Sequence, residues 1–276
     1  MVARIVMAMV LSSMLASVSL AQVQNTAQQK CINTVNKAMA KVSKVEFSTI
    51  KKCFKAFAKG SITDPDLCLV TGASLQVTTI KGAAKANEVC LPTPTDFGPL
   101  DGLDVEAALG GATFFLYALT GEPTVNTVAQ CGDAMLGDAP CKCQDAVIAS
   151  SGKLLGTYLS LFNKCKKAGL KAGTILSQAT LDACLSDAMQ LDPKGKLPKA
   201  EAKLLATVTG KCIDQGVTDP FPSGSCAAPT DATAFRDCTH AEARCTACLY
   251  VRFSDYAEID CDLFDNGAPD LSCSTL

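Results

Sequence analysis

Between residues 31 and 53 the chain alternates apolar and polar positions with a helical period. Ile32, Val35, Met39, Val42, Ile50, Cys53, Phe54 and Phe57 recur mostly at three- and four-residue steps, and Lys37, Lys41, Lys44 and Lys51 fall between them. That is the pattern of an amphipathic helix with one face turned to a core. Residues 143–165 repeat it, with Val147, Leu154, Leu155, Tyr158, Leu161, Phe162 and Cys165 as the apolar stripe. A cysteine closes both ends of each segment at the same spacing, Cys31 with Cys53 and Cys143 with Cys165.

The correspondence continues beyond these segments. Sliding Cys31 onto Cys143 also sets Val35 on Val147, Lys41 on Lys153, Ser48 on Ser160 and Lys52 on Lys164. Asp66-Leu67-Cys68-Leu69 echoes Asp182-Ala183-Cys184-Leu185, after turns at Asp64-Pro65 in the first copy and before Asp192-Pro193-Lys194-Gly195 in the second. Each copy then enters a Lys/Ala-rich stretch ending in cysteine, KGAAKANEVC and KAEAKLLATVTGKC, the latter after Pro198, which suits a helix start. An acidic Pro/Gly-rich linker follows each. The later stretches DVEAALGGATFFLYAL and DCTHAEARCTACLYVR share their leading Asp and a Leu-Tyr pair. The order of features reads as a duplicated unit, residues 22–130 and 131–276, the second carrying a cysteine-rich C-terminal segment.

Geometry restricts the disulfides. A helix from Cys31 to Cys53 is about 33 Å long, and a disulfide needs Cα atoms within roughly 7 Å. Neither bracketing pair can therefore close on itself. An antiparallel hairpin pairs Cys31 with Cys90 and Cys143 with Cys212 at one end, and Cys53 with Cys68 and Cys165 with Cys184 at the other. The partners of Cys131, Cys141, Cys226, Cys238, Cys245, Cys248, Cys261 and Cys273 stay open. The expected fold is all-α: two tandem disulfide-stapled helical hairpin units, each followed by a shorter helix, with an irregular disulfide-rich C-terminus.

These Lys/Ala-rich four-cysteine hairpins, together with the CxxC and the ending CDLFDNGAPDLSC, resemble a group of exported bacterial proteins of uncharacterised function. The resemblance implies a secreted helical repeat and assigns no activity or functional residue.

Composition fits export. MVARIVMAMVLSSMLASVSLAQ has the positive, apolar and small-residue regions of a signal peptide, residues 1–21, with cleavage expected near Ala21 and secretion to the periplasm or medium. All 16 cysteines follow it, an even number that reads as disulfides in an exported chain. No stretch of the mature chain reaches membrane-span length. There is no Trp, so the core must be built from smaller apolar side chains, and disulfides supplement it. Net charge is −2, but it alternates: +6 over residues 30–90, −6 over 91–142, +5 over 143–212 and −8 over 213–276. The basic stretches read as solvated helix faces or as faces that dock on the chain's own acidic segments. Nucleic acid is not an expected partner, because Lys dominates over Arg and no aromatics interleave to stack bases.

Candidate chemistry is sparse. Cys238, His240, Cys245 and Cys248 offer zinc-type ligands, though export and even cysteine pairing favour disulfides with a bystander histidine. Asp260, Asp262 and Asp265, with Asp255 and Glu258 near them, could supply oxygen ligands to calcium, but their spacing is not that of an EF-hand loop. Ser48-Thr49-Ile50-Lys51 and Ser150-Ser151-Gly152-Lys153 match the S-x-x-K of serine acyl-enzymes without the partner motifs. No cofactor motif is read; Leu249 follows Cys248 where haem attachment needs histidine. The expectation is a non-enzymatic structural or binding module without cofactor or catalytic residues. Calcium-dependent binding through the acidic loop, or an enzyme of unfamiliar type, are the alternatives.

Overall fold

The structure, a computed structural model, describes residues 23–92, 102–108, 110–120, 139–186, 191–217, 231–255 and 259–262, with Phe221, Cys226 and Cys273. The expected leader and its cleavage site lie outside the described residues. Every regular element described is helical.

Helix α1 (Thr26–Ala58) carries the first apolar stripe and buries Ile32, Val35, Met39, Val42, Ile50 and Phe54. Its start is fixed by a capping box. The Asn25 side chain accepts the N–H groups of Ala27 and Gln28, each at 2.9 Å, while the Gln28 side chain accepts the Asn25 N–H at 2.8 Å. It ends at Gly60, whose left-handed φ of 66° lets the Gly60 and Ser61 N–H groups reach the Phe57 and Ala56 carbonyls. The short α2 (Pro65–Val70) starts with Asp64 accepting the Leu67 N–H at 2.9 Å and with Pro65 in the first turn. It sets Cys68 beside the far end of α1, and α3 (Ala73–Cys90) returns along α1.

After α4 (Leu103–Ala107) and α5 (Gly111–Thr120), the arrangement recurs with α6 (Ala139–Ala172), α7 (Gln178–Ser186) and α8 (Lys196–Lys211). Helix α8 opens at Lys196, two residues before Pro198, which falls in the first turn where a missing N–H is harmless. Disulfides join Cys31 to Cys90 and Cys143 to Cys212, with Cα atoms 4.9 Å apart in both. Cys53–Cys68 and Cys165–Cys184 close the opposite ends, with Cα separations of 5.8 and 6.0 Å. Cys141 is also disulfide-bonded; Cys131 lies outside the described residues.

Half of the C-terminal cysteine cluster lies on a helix, α9 (Ala232–Asp255). From it Cys238 bonds Cys226, Cys245 bonds Cys273 and Cys248 bonds Cys261. Helix α9 packs against α6 and α8 on one side and against α4 and α5 on the other. One apolar cluster therefore runs through both hairpins, from Ile32 and Phe54 to Phe162, Leu204 and Leu249. No helix among the described residues is long and apolar enough to cross a membrane.

Within the first half, α1 and α5 are joined by a buried acid. Glu46, on the lysine-rich α1, is 3% exposed. Its carboxylate accepts the N–H groups of Gly110, Ala112 and Thr113 at 3.1–3.2 Å, and the Thr113 hydroxyl at 2.6 Å. It thus caps the start of α5, where the free N–H groups and helix dipole favour negative charge. Burial nevertheless raises its carboxyl above the ordinary value of 4.5, against the lowering effect of those hydrogen bonds. The folded state consequently holds the proton more tightly than the unfolded chain does. The stabilisation linked to that proton is fully present below about pH 4.5 and is lost as pH rises through the raised value. Glu46→Gln is expected to flatten this part of the profile, read from urea midpoints measured across the acidic range; an unchanged slope would contradict the assignment.

Candidate functional site: a lysine-lined groove

Helices α1 and α6 pack side by side although they belong to different hairpins. Where they meet, small side chains keep the surface low: Ala38 and Ala40 on α1, Ala149, Gly152 and Gly156 on α6. A groove of about 1390 Å³ results, walled on one side by α3.

The same helices line this groove with ammonium groups. Helix α1 contributes Lys30, Lys37, Lys41, Lys44 and Lys51, a spacing that keeps all five on one face. Lys81 and Lys85 come from α3, Lys153, Lys164 and Lys167 from α6, and Lys196 from the start of α8. No Asp or Glu is among the described lining residues. Lys85 pairs with Glu88 at 2.7 Å on the exposed rim, and among the described residues it is the one lining lysine with an ion-pair partner. The Ser48, Ser160, Thr34 and Thr157 side chains also line the groove. The expected alternative, docking of the basic faces on the chain's own acid groups, is not seen among the described residues of the groove.

Beneath the groove, α1 and α6 are joined by a polar seam. Lys166 is 2% exposed and donates through Nζ to Asn36 Oδ1 at 2.8 Å, and Asn163 Nδ2 donates to the Asn36 carbonyl at 3.1 Å. Asn36 itself is 4% exposed and borders the groove, and its buried Nδ2 has no hydrogen-bond partner among the described residues. A buried donor without a partner is costly, and such groups need a reason. At the α6–α8 end, Lys196 beside Lys164 holds the Lys164 ammonium below its ordinary value, with Lys194 adding to the repulsion. Both Lys164 and Lys196 also line an adjoining cavity of about 780 Å³ under α7.

The groove floor has a measurable cost. A Cβ built on Gly156 meets nothing within 4 Å, so the glycine is not required by packing. Gly156→Ala is expected to raise stability by about 0.5–1 kcal/mol through helix propensity, read by thermal and urea unfolding. A loss of stability would show that this position is not the open floor.

The other sequence candidates are placed as follows. The zinc set is excluded by its own sulfurs: Cys238, Cys245 and Cys248 are all in disulfides and supply no thiolate. His240 is not a bystander. Its Nδ1 lies 2.7 Å from Glu201 Oε1 and its Nε2 2.6 Å from the Tyr158 hydroxyl, so it ties α8, α9 and α6 together. Tyr158 is buried, and burial pushes its phenol above the ordinary range, keeping it protonated. Asp262 is 5% exposed and its Oδ1 accepts the Cys273 N–H at 3.1 Å, while Asp260 Oδ1 accepts the Asp262 N–H at 3.2 Å. Those oxygens organise the C-terminal turn; Asp265 and Glu258 lie outside the described residues. The Ser150 hydroxyl donates back to the Ala146 and Val147 carbonyls and is buried, and Ser48 with Lys51 belongs to the groove.

Sequence reasoning missed the groove because its two walls come from different hairpins. The periodic lysines of α1 were visible, but nothing in the sequence places α6 beside them. No known protein family, curated protein or solved structure matches the chain.

Proposed function

We propose that this is an exported, non-enzymatic binding module, built by tandem duplication of a disulfide-stapled hairpin, that holds an anionic partner along the groove between α1 and α6. Export is supported by the leader-like N-terminus, the bridge-rich chain and the resemblance to exported bacterial hairpin proteins. The observation that carries the binding reading is the sign of the groove. Among the described residues its ionisable lining is entirely ammonium, in a chain whose net charge is −2 and whose isoelectric point is near 5.5. Concentrating one sign of charge in a walled surface raises the local concentration of an oppositely charged ligand.

A cation exchanger at neutral pH tests this. The oxidised protein is expected to be retained despite its negative net charge. Lys41→Glu with Lys44→Glu should abolish retention, whereas Lys203→Glu with Lys211→Glu, the same charge change outside the groove, should leave it. Passage of the unmodified protein straight through, or equal effects of the two pairs, would overturn the proposal.

A further inference from the structure

We infer that the groove's occupant is a linear polyphosphate, an unbranched chain of tetrahedral phosphate groups without aromatic bases. This rests on the anionic-partner reading above and narrows its chemistry.

Length comes first. Lys30 to Lys51 spans about 32 Å of helix. A single small anion would meet only a few of the ammonium groups, and the rest would gain nothing. A chain meets them in succession.

The donor type fits a phosphate chain. No arginine is among the described residues that line the groove. A guanidinium fork holds carboxylate and phosphate alike in fixed bidentate geometry, whereas an ammonium acts as a point charge with freely rotating donors and asks for no particular plane. Tetrahedral phosphate has no preferred plane and suits point donors. The exposed Ser48 and Ser160 hydroxyls add neutral donors at the wall.

The groove also lacks a stacking platform. Phe47 is the one aromatic side chain among the described lining residues, and it is already engaged. Its ring meets Phe115 edge-on at 5.8 Å and covers Gly152, where an added Cβ would lie 2.5 Å from it. Bases and sugar rings held by aromatic faces therefore find none available, which disfavours single-stranded nucleic acid and pyranose polymers. A low floor of glycine and alanine admits a slender chain. At the α6–α8 end, a phosphate between Lys164 and Lys196 would relieve their mutual repulsion.

The test is competition on the oxidised full chain at one fixed salt concentration. A fluorescent inorganic polyphosphate of defined length is the probe; unlabelled polyphosphate, single-stranded DNA, heparin and polygalacturonate are the competitors. Unlabelled polyphosphate should compete at least about tenfold better than the other three at equal charge, and binding should weaken steeply with salt as counterions are released. Gly156→Leu, which fills the floor without changing charge, should weaken polyphosphate binding about tenfold or more while circular dichroism and thermal unfolding stay native-like. If that variant fails to fold, Lys37→Gln with Lys41→Gln provides the same readout. Equal or better competition by DNA, heparin or polygalacturonate would overturn the polyphosphate assignment and leave the anionic groove standing. Absence of binding to any of the four would overturn both.

Discussion

Replacing Cys143 and Cys212 together by alanine is expected to remove about 4 kcal/mol of stability. The bridge closes a loop of 69 residues in the unfolded chain, and the chain-entropy relation gives that magnitude for a loop of this size. For a chain of this length the loss corresponds to a fall of roughly 8–16 °C in melting temperature. The Cys31–Cys90 bridge, with a separation of 59 residues, should behave alike, while Cys53–Cys68, separated by 15, should cost about 3 kcal/mol. The ordering follows from loop length as long as native packing is unchanged. Helical content should partly survive full reduction, because the Ala, Lys and Leu stretches of α1, α6 and α8 favour helix locally. Denaturant unfolding followed by circular dichroism reads both effects; a bridge variant as stable as the parent would contradict the stapled account.

The second large effect is steric and lies where α9 joins the first hairpin. An alanine Cβ at Gly111 would fall on the Tyr250 hydroxyl and ring, well inside van der Waals contact. Tyr250 is buried and donates to the Ala108 carbonyl at 3.3 Å, so it has nowhere to move without opening the α4–α5–α9 junction. Gly111→Ala is expected to cost about 3 kcal/mol, at the upper end of overpacking. Combining it with Tyr250→Leu should cost less than the sum of the single changes, since the larger ring is then absent. Additive losses would show that the two residues do not meet. The contrast with Gly156→Ala, expected to stabilise, separates a glycine required by contact from one that keeps a surface low.

The hairpins were legible because two physical limits combine. The rise per residue of a helix makes Cys31 and Cys53 too distant to bond, and the short reach of a disulfide then selects partners on a returning helix. The observed pairs at Cys90, Cys68, Cys212 and Cys184 are those an antiparallel hairpin brings within reach once the bracketing pairs are excluded. Less was readable at the C-terminus. Cys238, Cys245 and Cys248 are spaced at helical steps, yet a dense cysteine cluster reads as irregular because cross-links do not require regular structure; α9 keeps its helix and sends its bridges outward. Two charged residues were hidden by their surroundings. Glu46 and Lys166 sit within lysine-rich helical stretches that look solvent-facing, but Glu46 caps α5 and Lys166 bonds Asn36 between α1 and α6. Each is decided by a partner far away in sequence. The groove is hidden for the same reason: local period gives each helix its lysine face, and only the lateral packing of α1 on α6 brings the faces together.

Lysine footprinting tests the central claim most directly. The oxidised protein, alone and saturated with polyphosphate at low salt, is acetylated briefly and the modification of each lysine is measured by mass spectrometry. The account predicts that Lys37, Lys41, Lys44, Lys153 and Lys164, which line the groove, lose reactivity in the bound state, while the exposed Lys52, Lys199, Lys203 and Lys211 outside it react as before. Protection spread evenly over both sets, or concentrated on the second, would contradict it.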